Sequence, residues 1–341
     1  MVWLVSALLS LGSSAKAAVS FTSSSPSQGS AKVVIAQDAG ATEVLRPVPG
    51  IVDQLVGRGL VRLTQKTNAT AAWLSLVKTN DRVGIKVYSA PGSDSGTRIP
   101  VVASVVRSLI EAGVPATNIT LWDRRIGDLR AAGFGVLAEQ FGVKLASAVD
   151  RGFDEKVFYE NSVLGNLLFG DLEFGRKDTT VSRRSYLTEL VTKDFTKVIS
   201  ITPLLNHNEA SITGHLTSLG LGSADNILRF EGNGERLATA LPELFGQPQI
   251  ADKGALYITD ALICQYQGEQ RSLLHYSVPL NQLWFSKDPV ALDSLGVLEL
   301  ERQRDIAKIS QPNLNRELYA NAELLELGVS NLKRIVTENA Q

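Results

Sequence analysis

The sequence predicts an α/β fold, a mostly parallel central sheet flanked by helices, and three observations carry that prediction. Residues 82–123 read as strand, Gly- and Ser-rich loop, helix and strand, a unit that requires parallel pairing and a right-handed crossover. The runs around Val198, Ile199 and Ile201 and over 255–265 are apolar on both alternating faces, as in strands covered on two sides. Polar residues close the first of these runs, at Asn206 and His207, which is where open α/β sheets place ligand crevices, while the second passes through Asp260.

Each element follows from local pattern. Residues 32–36 read as a first strand, and 49–63 space Ile51, Val52, Leu55, Val56 and Leu60 at helical intervals. In 82–88, Val83, Ile85 and Val87 share one face, with Lys86 near the carboxyl end. A helix opens near Pro100 with Val101, Val102, Val105, Val106 and Leu109 as its stripe, and Gly113 ends it. The next strand, 118–122, closes at Asp123. A helix over 134–141 and a strand over 143–148 come before a stretch, about 151–190, with scattered Gly, Asp and Phe, read as a β-rich or irregular insertion. The strand after Lys197 ends in a two-histidine loop. Helical segments are expected at 224–229 and 235–244, strands at 255–265 and 282–285, and helices from Asp288-Pro289 towards Arg304, at 317–325 and at 332–338.

The composition sets limits on function. The chain has 341 residues, 44% hydrophobic and 20% charged, with a formal charge of −1, so no long-range field favours nucleic acid or an anionic surface. Its single cysteine, Cys264, excludes an intramolecular disulfide, a Cys-ligated zinc site and an iron–sulfur cluster, and reads as a small buried hydrophobe. Residues 2–11 are apolar but too few to span a bilayer, and Ser14-Ala15-Lys16-Ala17 fits signal-peptidase cleavage. The expected organisation is a signal peptide over 1–18, a flexible lead over 19–31 and a single domain over 32–341. That implies export to the periplasm or beyond, with no membrane span after signal removal; the rival reading is an N-terminal helix packed on the body.

Four polar groups fall at or just past predicted strand ends: Lys86, Asp123, the Asn206/His207 pair and Asp260. His207 titrates near neutrality, suiting it to acid–base work or metal ligation. His215, eight residues on, makes a mixed nitrogen and oxygen site for a divalent metal conceivable, although the spacing matches no standard zinc motif. Asp288 before Pro289 has the form of a helix N-cap. Asp293 falls on the apolar side of that helix, so it needs a partner such as Lys86 or a backbone amide.

The blocks VGIKVYSAPGSDSGTRIPVVASVVRSLIEAGV, KVISITPLLNHNEASITGHLTSLGLG, LYITDAL and FSKDPVALDSLG, in this order, resemble the domain-of-unknown-function family 362 over about residues 80–300. Lys86, His207, Gly214, Asp260, Asp288 and Asp293 match that pattern. Family members typically carry a lysine where this chain has Asn206, and Lys-Asn where it has Thr217-Ser218. A fainter likeness in layout is to the nickel-pincer lactate racemases, through Thr97, Arg98 and Pro100 opening a helix and a histidine followed by a Gly-containing segment. Thr217 stands near the position of the racemases' cofactor-bearing lysine.

The expectation is an enzyme acting on a small polar organic molecule, with His207, Asp260 and Asp293 as catalytic groups. Lys86, Thr97, Arg98, Asp123, Asn206, Thr213, Gly214 and Asp288 would bind ligand, and His207 with His215 would hold any metal. The alternatives are a non-catalytic exported protein that binds a metal or small ligand, and a scaffold whose polar cluster is structural.

Overall fold

A computed structural model describes residues 29–174 and 180–340, so the expected signal peptide and most of the lead lie outside the described residues. Besides a short antiparallel pair of strands, Thr42–Glu43 with Arg46–Pro47, the strands are β1 (Ala31–Gln37), β2 (Val83–Lys86), β3 (Ile119–Asp123), β4 (Lys144–Ser147), β5 (Phe153–Asn166), β6 (Val181–Thr188), β7 (Lys197–His207), β8 (Ser211–Ile212), β9 (Gly254–Gln265), β10 (Ser277–Ser286) and β11 (Ile335–Ala340). The central sheet has the order β11-β1-β10-β9-β7-β2-β3-β4, with β8 folded back on β7. β9, β7, β2, β3 and β4 pair in parallel, β1 and β11 do likewise, and β10 joins the two groups by antiparallel pairing on both its edges. The predicted fold class is therefore the observed one.

Both faces of the sheet are covered, which explains the non-alternating apolar strands. Helices α1 (Pro49–Thr64), α2 (Ala69–Leu74), α3 (Ile99–Glu111), α4 (Ile126–Ala131) and α5 (Phe134–Phe141) supply one core, where Leu55, Val105, Leu109 and Phe134 meet Ile85, Ile199 and Ile258. Helices α6 (His215–Gly220), α7 (Gly234–Phe245), α8 (Pro289–Ile306) and α9 (Arg316–Leu324) supply the other, where Leu216, Leu241, Leu292 and Leu318 meet Val198 and Tyr257. Neighbours such as Ile199 and Val198 thus enter opposite cores, and both must be apolar.

The insertion is β-rich: β5 and β6 form an antiparallel ribbon whose Tyr159 and Leu187 pack into the second core. Two local expectations are corrected. Residues 332–338 are not a helix; after one 3-10 turn the chain becomes β11, because Ile335 to Ala340 find a partner in β1. The helical segment at 224–229 is a 3-10 turn over Ile227–Phe230, with Asn226 in the left-handed region.

Candidate functional site

A cavity of about 310 Å³ opens at the carboxyl ends of β2, β3 and β7. Lys86, the last residue of β2, and Asp123, the last of β3, form its floor. Lys86 is fully buried, and its Nζ donates to Asp123 Oδ1 at 2.6 Å, the Val87 carbonyl at 2.8 Å and Ser218 Oγ at 2.9 Å. Burial pulls the lysine pKa down, and the Asp123 charge pulls it back. Asp123 also accepts from the amide of Arg124 (2.7 Å) and from the Ser89 amide (2.8 Å) and hydroxyl (2.6 Å). All three ammonium donors are used, so the pair is a saturated floor. Gly222 makes room for it: a Cβ there would fall 2.7 Å from Lys86 Cε.

His207 ends β7 on the cavity wall, half-buried. Its Nδ1 accepts the amides of Glu209 (3.2 Å) and Ala210 (3.1 Å), which fixes the neutral tautomer with hydrogen on Nε2. Burial lowers its pKa, partly offset by Glu269 and Glu209. The side chain is thus set up as a neutral hydrogen-bond donor, and base chemistry at Nε2 would sacrifice two backbone bonds. This revises the acid–base role expected from sequence.

The other expected site residues lie elsewhere. Asp260 is buried against Arg98: Oδ1 lies 3.2 Å from Nη1, and Oδ2 accepts the Arg98 amide at 3.1 Å. Thr97 Oγ1 donates to the Ile201 carbonyl (2.7 Å) and accepts the Tyr88 amide (2.9 Å), so Thr97 and Arg98 splice the start of α3 onto the sheet. Asp293 accepts the amides of His215 (2.7 Å) and Leu216 (3.0 Å), and burial pushes its pKa up to about 7. Gly214 is required there, since its Cβ would stand 2.2 Å from Asp293 Oδ1. The backbone-amide partner anticipated for Asp293 is the one found; Lys86 is not its partner.

His215 and His207 do not form a ligand pair. His215 is fully buried, its Nδ1 2.9 Å from Ser200 Oγ and its Nε2 3.2 Å from Thr259 Oγ1, with the ring edge-on to Tyr257 at 5.3 Å. Burial pushes its pKa down to about 3. Among the described residues no group of three or more His, Cys, Asp or Glu side chains is placed to hold a metal ion. Asp288 caps α8 through the Ala291 amide (2.9 Å) and also accepts from Val329 (2.9 Å). Asn206 Oδ1 takes the Glu269 amide at 2.9 Å, clasping two loops, and Thr213 is buried where its amide bonds the Leu205 carbonyl at 2.8 Å.

Sequence reasoning missed the rest of the cavity. Arg124, Arg125, Asp128, Ser218, Glu231 and Gln270 line it, with Leu168 and Phe169 from beyond β5 and Ile227 and Leu228 from the 3-10 turn. The pKa values of Asp128 and Glu231 are raised, chiefly by burial; Asp123 adds to the first and Glu209 to the second. Asp128 had a sequence signal, being in the first turn of the helix that follows β3. Arg124 and Arg125 follow directly on Asp123 and Ser218 lies in α6, whereas Leu168, Phe169, Ile227, Leu228, Glu231 and Gln270 come from segments whose approach no local pattern announces.

No protein-family model matches the chain, and no curated protein does. A structural-genomics crystal structure of a Thermotoga maritima protein superposes with a TM-score of 0.41 at 12% identity, covering 77% of this chain and 60% of that one.

Proposed function

We propose that the protein is an enzyme acting on a small polar organic molecule bound in the cavity above Lys86 and Asp123. One observation carries the reading: His207 has its Nδ1 tied to two amides, leaving an Nε2 donor at a cavity that two carboxylates of raised pKa also line. In this reading Nε2–H polarises a ligand oxygen while Asp128, whose pKa is raised by burial and by Asp123, handles the proton. Lys86 and Asp123 keep the floor rigid. Of the residues that match the family-362 pattern, Lys86 and His207 line the cavity, whereas Asp260, Asp288 and Asp293 serve structural networks.

The non-catalytic alternative draws on the saturation of the Lys86–Asp123 pair, expected to bind ligand, and on the sealed positions of Asp260 and Asp293, which remove two of the three expected catalytic groups. The two readings share the ligand and differ in turnover. A ligand-observed NMR screen of small polar organic molecules, repeated on His207→Ala, tests both. Hits should weaken about tenfold in the variant, the loss expected for one hydrogen bond in a partly dry site, with binding measured well below its melting transition, which the loss of the two amide bonds at Nδ1 should lower. Equal binding to both proteins would overturn the assignment of His207. Binding without conversion of any hit would favour the non-catalytic form.

A further inference from the structure

Phe169 is 84% exposed, Leu228 45% and Leu168 43%, yet all three line the same cavity, so they form its rim. Phe174, itself half-exposed, meets Phe169 edge-on at 5.6 Å and extends the apolar surface outward. Exposed aromatic and aliphatic side chains gathered at one mouth are costly in water unless something covers them.

The rim is built, not loose. Asp171 Oδ2 accepts the Leu168 amide at 2.7 Å, and its Oδ1 accepts the Asn226 amide at 3.0 Å. Asp225 Oδ2 accepts Leu172 at 2.8 Å, and its Oδ1 takes the Tyr186 amide at 2.5 Å. Gly170, at φ +93°, lets the turn close on Val149, which a Cβ would strike at 2.7 Å. Two buried carboxylates therefore spend their hydrogen bonds on holding apolar side chains at the opening.

The charges inside point to the other end of the ligand. Lys86 is matched by Asp123, and Arg124 faces Asp171 and Asp225, its Nη1 also donating to the carbonyls of Leu221 and Ala224. Among the side chains that line the cavity, Asp123, Asp128, Asp171 and Glu231 face Lys86, Arg124 and Arg125, one carboxylate in excess, and both arginines act on Glu231.

We infer that the substrate is an amphiphile: a basic nitrogen seated at Asp128 and Glu231, and an apolar chain lying over Leu168, Phe169 and Leu228. The inference rests on the proposed small-molecule function and names its substrate class. A buried methylene strengthens binding about fourfold, so a chain reaching the rim should gain steeply with length.

Isothermal titration of the full chain with butylamine, octylamine and octanoate, all below micelle formation, provides the test. Octylamine should bind at least tenfold more tightly than butylamine and more tightly than octanoate. Phe169→Ser should remove most of the chain-length gain and leave butylamine unaffected, whereas Asp128→Asn should weaken both amines. Equal affinity for butylamine and octylamine, or a preference for octanoate, overturns the inference while leaving a small-molecule site in place. If no probe binds but polar hits from the NMR screen do, the amphiphile alone falls; if neither set binds, the proposed function falls with it.

Discussion

Lys86 shows how one residue can be legible in position and misleading in role. Its place at a strand end marked it for a site, and it does line the cavity, but its three donors are already committed to Asp123, Val87 and Ser218. Its contribution is to structure: a buried cation whose removal strands a buried anion. Lys86→Met should lower stability by about 3 kcal/mol in urea denaturation, and adding Asp123→Asn should restore at least half of that loss. A double variant no more stable than the single would show that the pair is uncoupled. Asp260 was equally conspicuous in the sequence, yet its side chain turns to Arg98. Position along a strand is readable from pattern; which ends share a cavity depends on how loops from distant elements cover them.

The six-residue helix α6 stands between the two networks. At its start Asp293 receives two amides, and near its end Ser218 receives Lys86. Because burial raises Asp293 to about 7, the native state holds a proton that the unfolded chain releases at ordinary carboxylate pH. The stabilisation is fully present below about pH 4 and is lost as pH rises through about 7. Asp293→Asn should lack this slope, so the wild-type minus variant stability should fall by between about 1 and 4 kcal/mol from pH 4 to 8. Parallel pH slopes for the two proteins in urea unfolding would refute it. At the same scale β11 eluded the sequence: Leu332, Ile335 and Val336 carry helical spacing, and only pairing with β1 selects the extended form. The strand β7 was readable because burial on both faces leaves a run that no surface helix needs, and β2 because Val83, Ile85 and Val87 alternate with Gly84 and Lys86.

Across the whole molecule, the parallel group β9-β7-β2-β3-β4 was legible as a βαβ succession, and the cavity's location above it followed from topology. The cavity's rim was not, because the β5/β6 ribbon and the turn at Ile227–Phe230 arrive over long sequence separations. The far edge offers a separate test. β11 covers β1 and adds the ion pair of Lys32 with Glu338 at 2.9 Å. Truncation after Arg334 would bare the β1 edge, whose backbone groups then seek another strand. Self-association should appear in size-exclusion chromatography at concentrations where the full chain stays monodisperse relative to its own elution; an unchanged elution profile would argue that β11 is dispensable.

The same edge orders events in time. Among the described residues β1 is the first strand made, and both its neighbours, β10 and β11, come from after residue 276. Until Ser277–Ser286 has emerged, β1 has no strand to pair with, while β2, β3 and β4 can already associate. The sheet is therefore completed late at this edge, when β10 and then β11 dock on either side of β1.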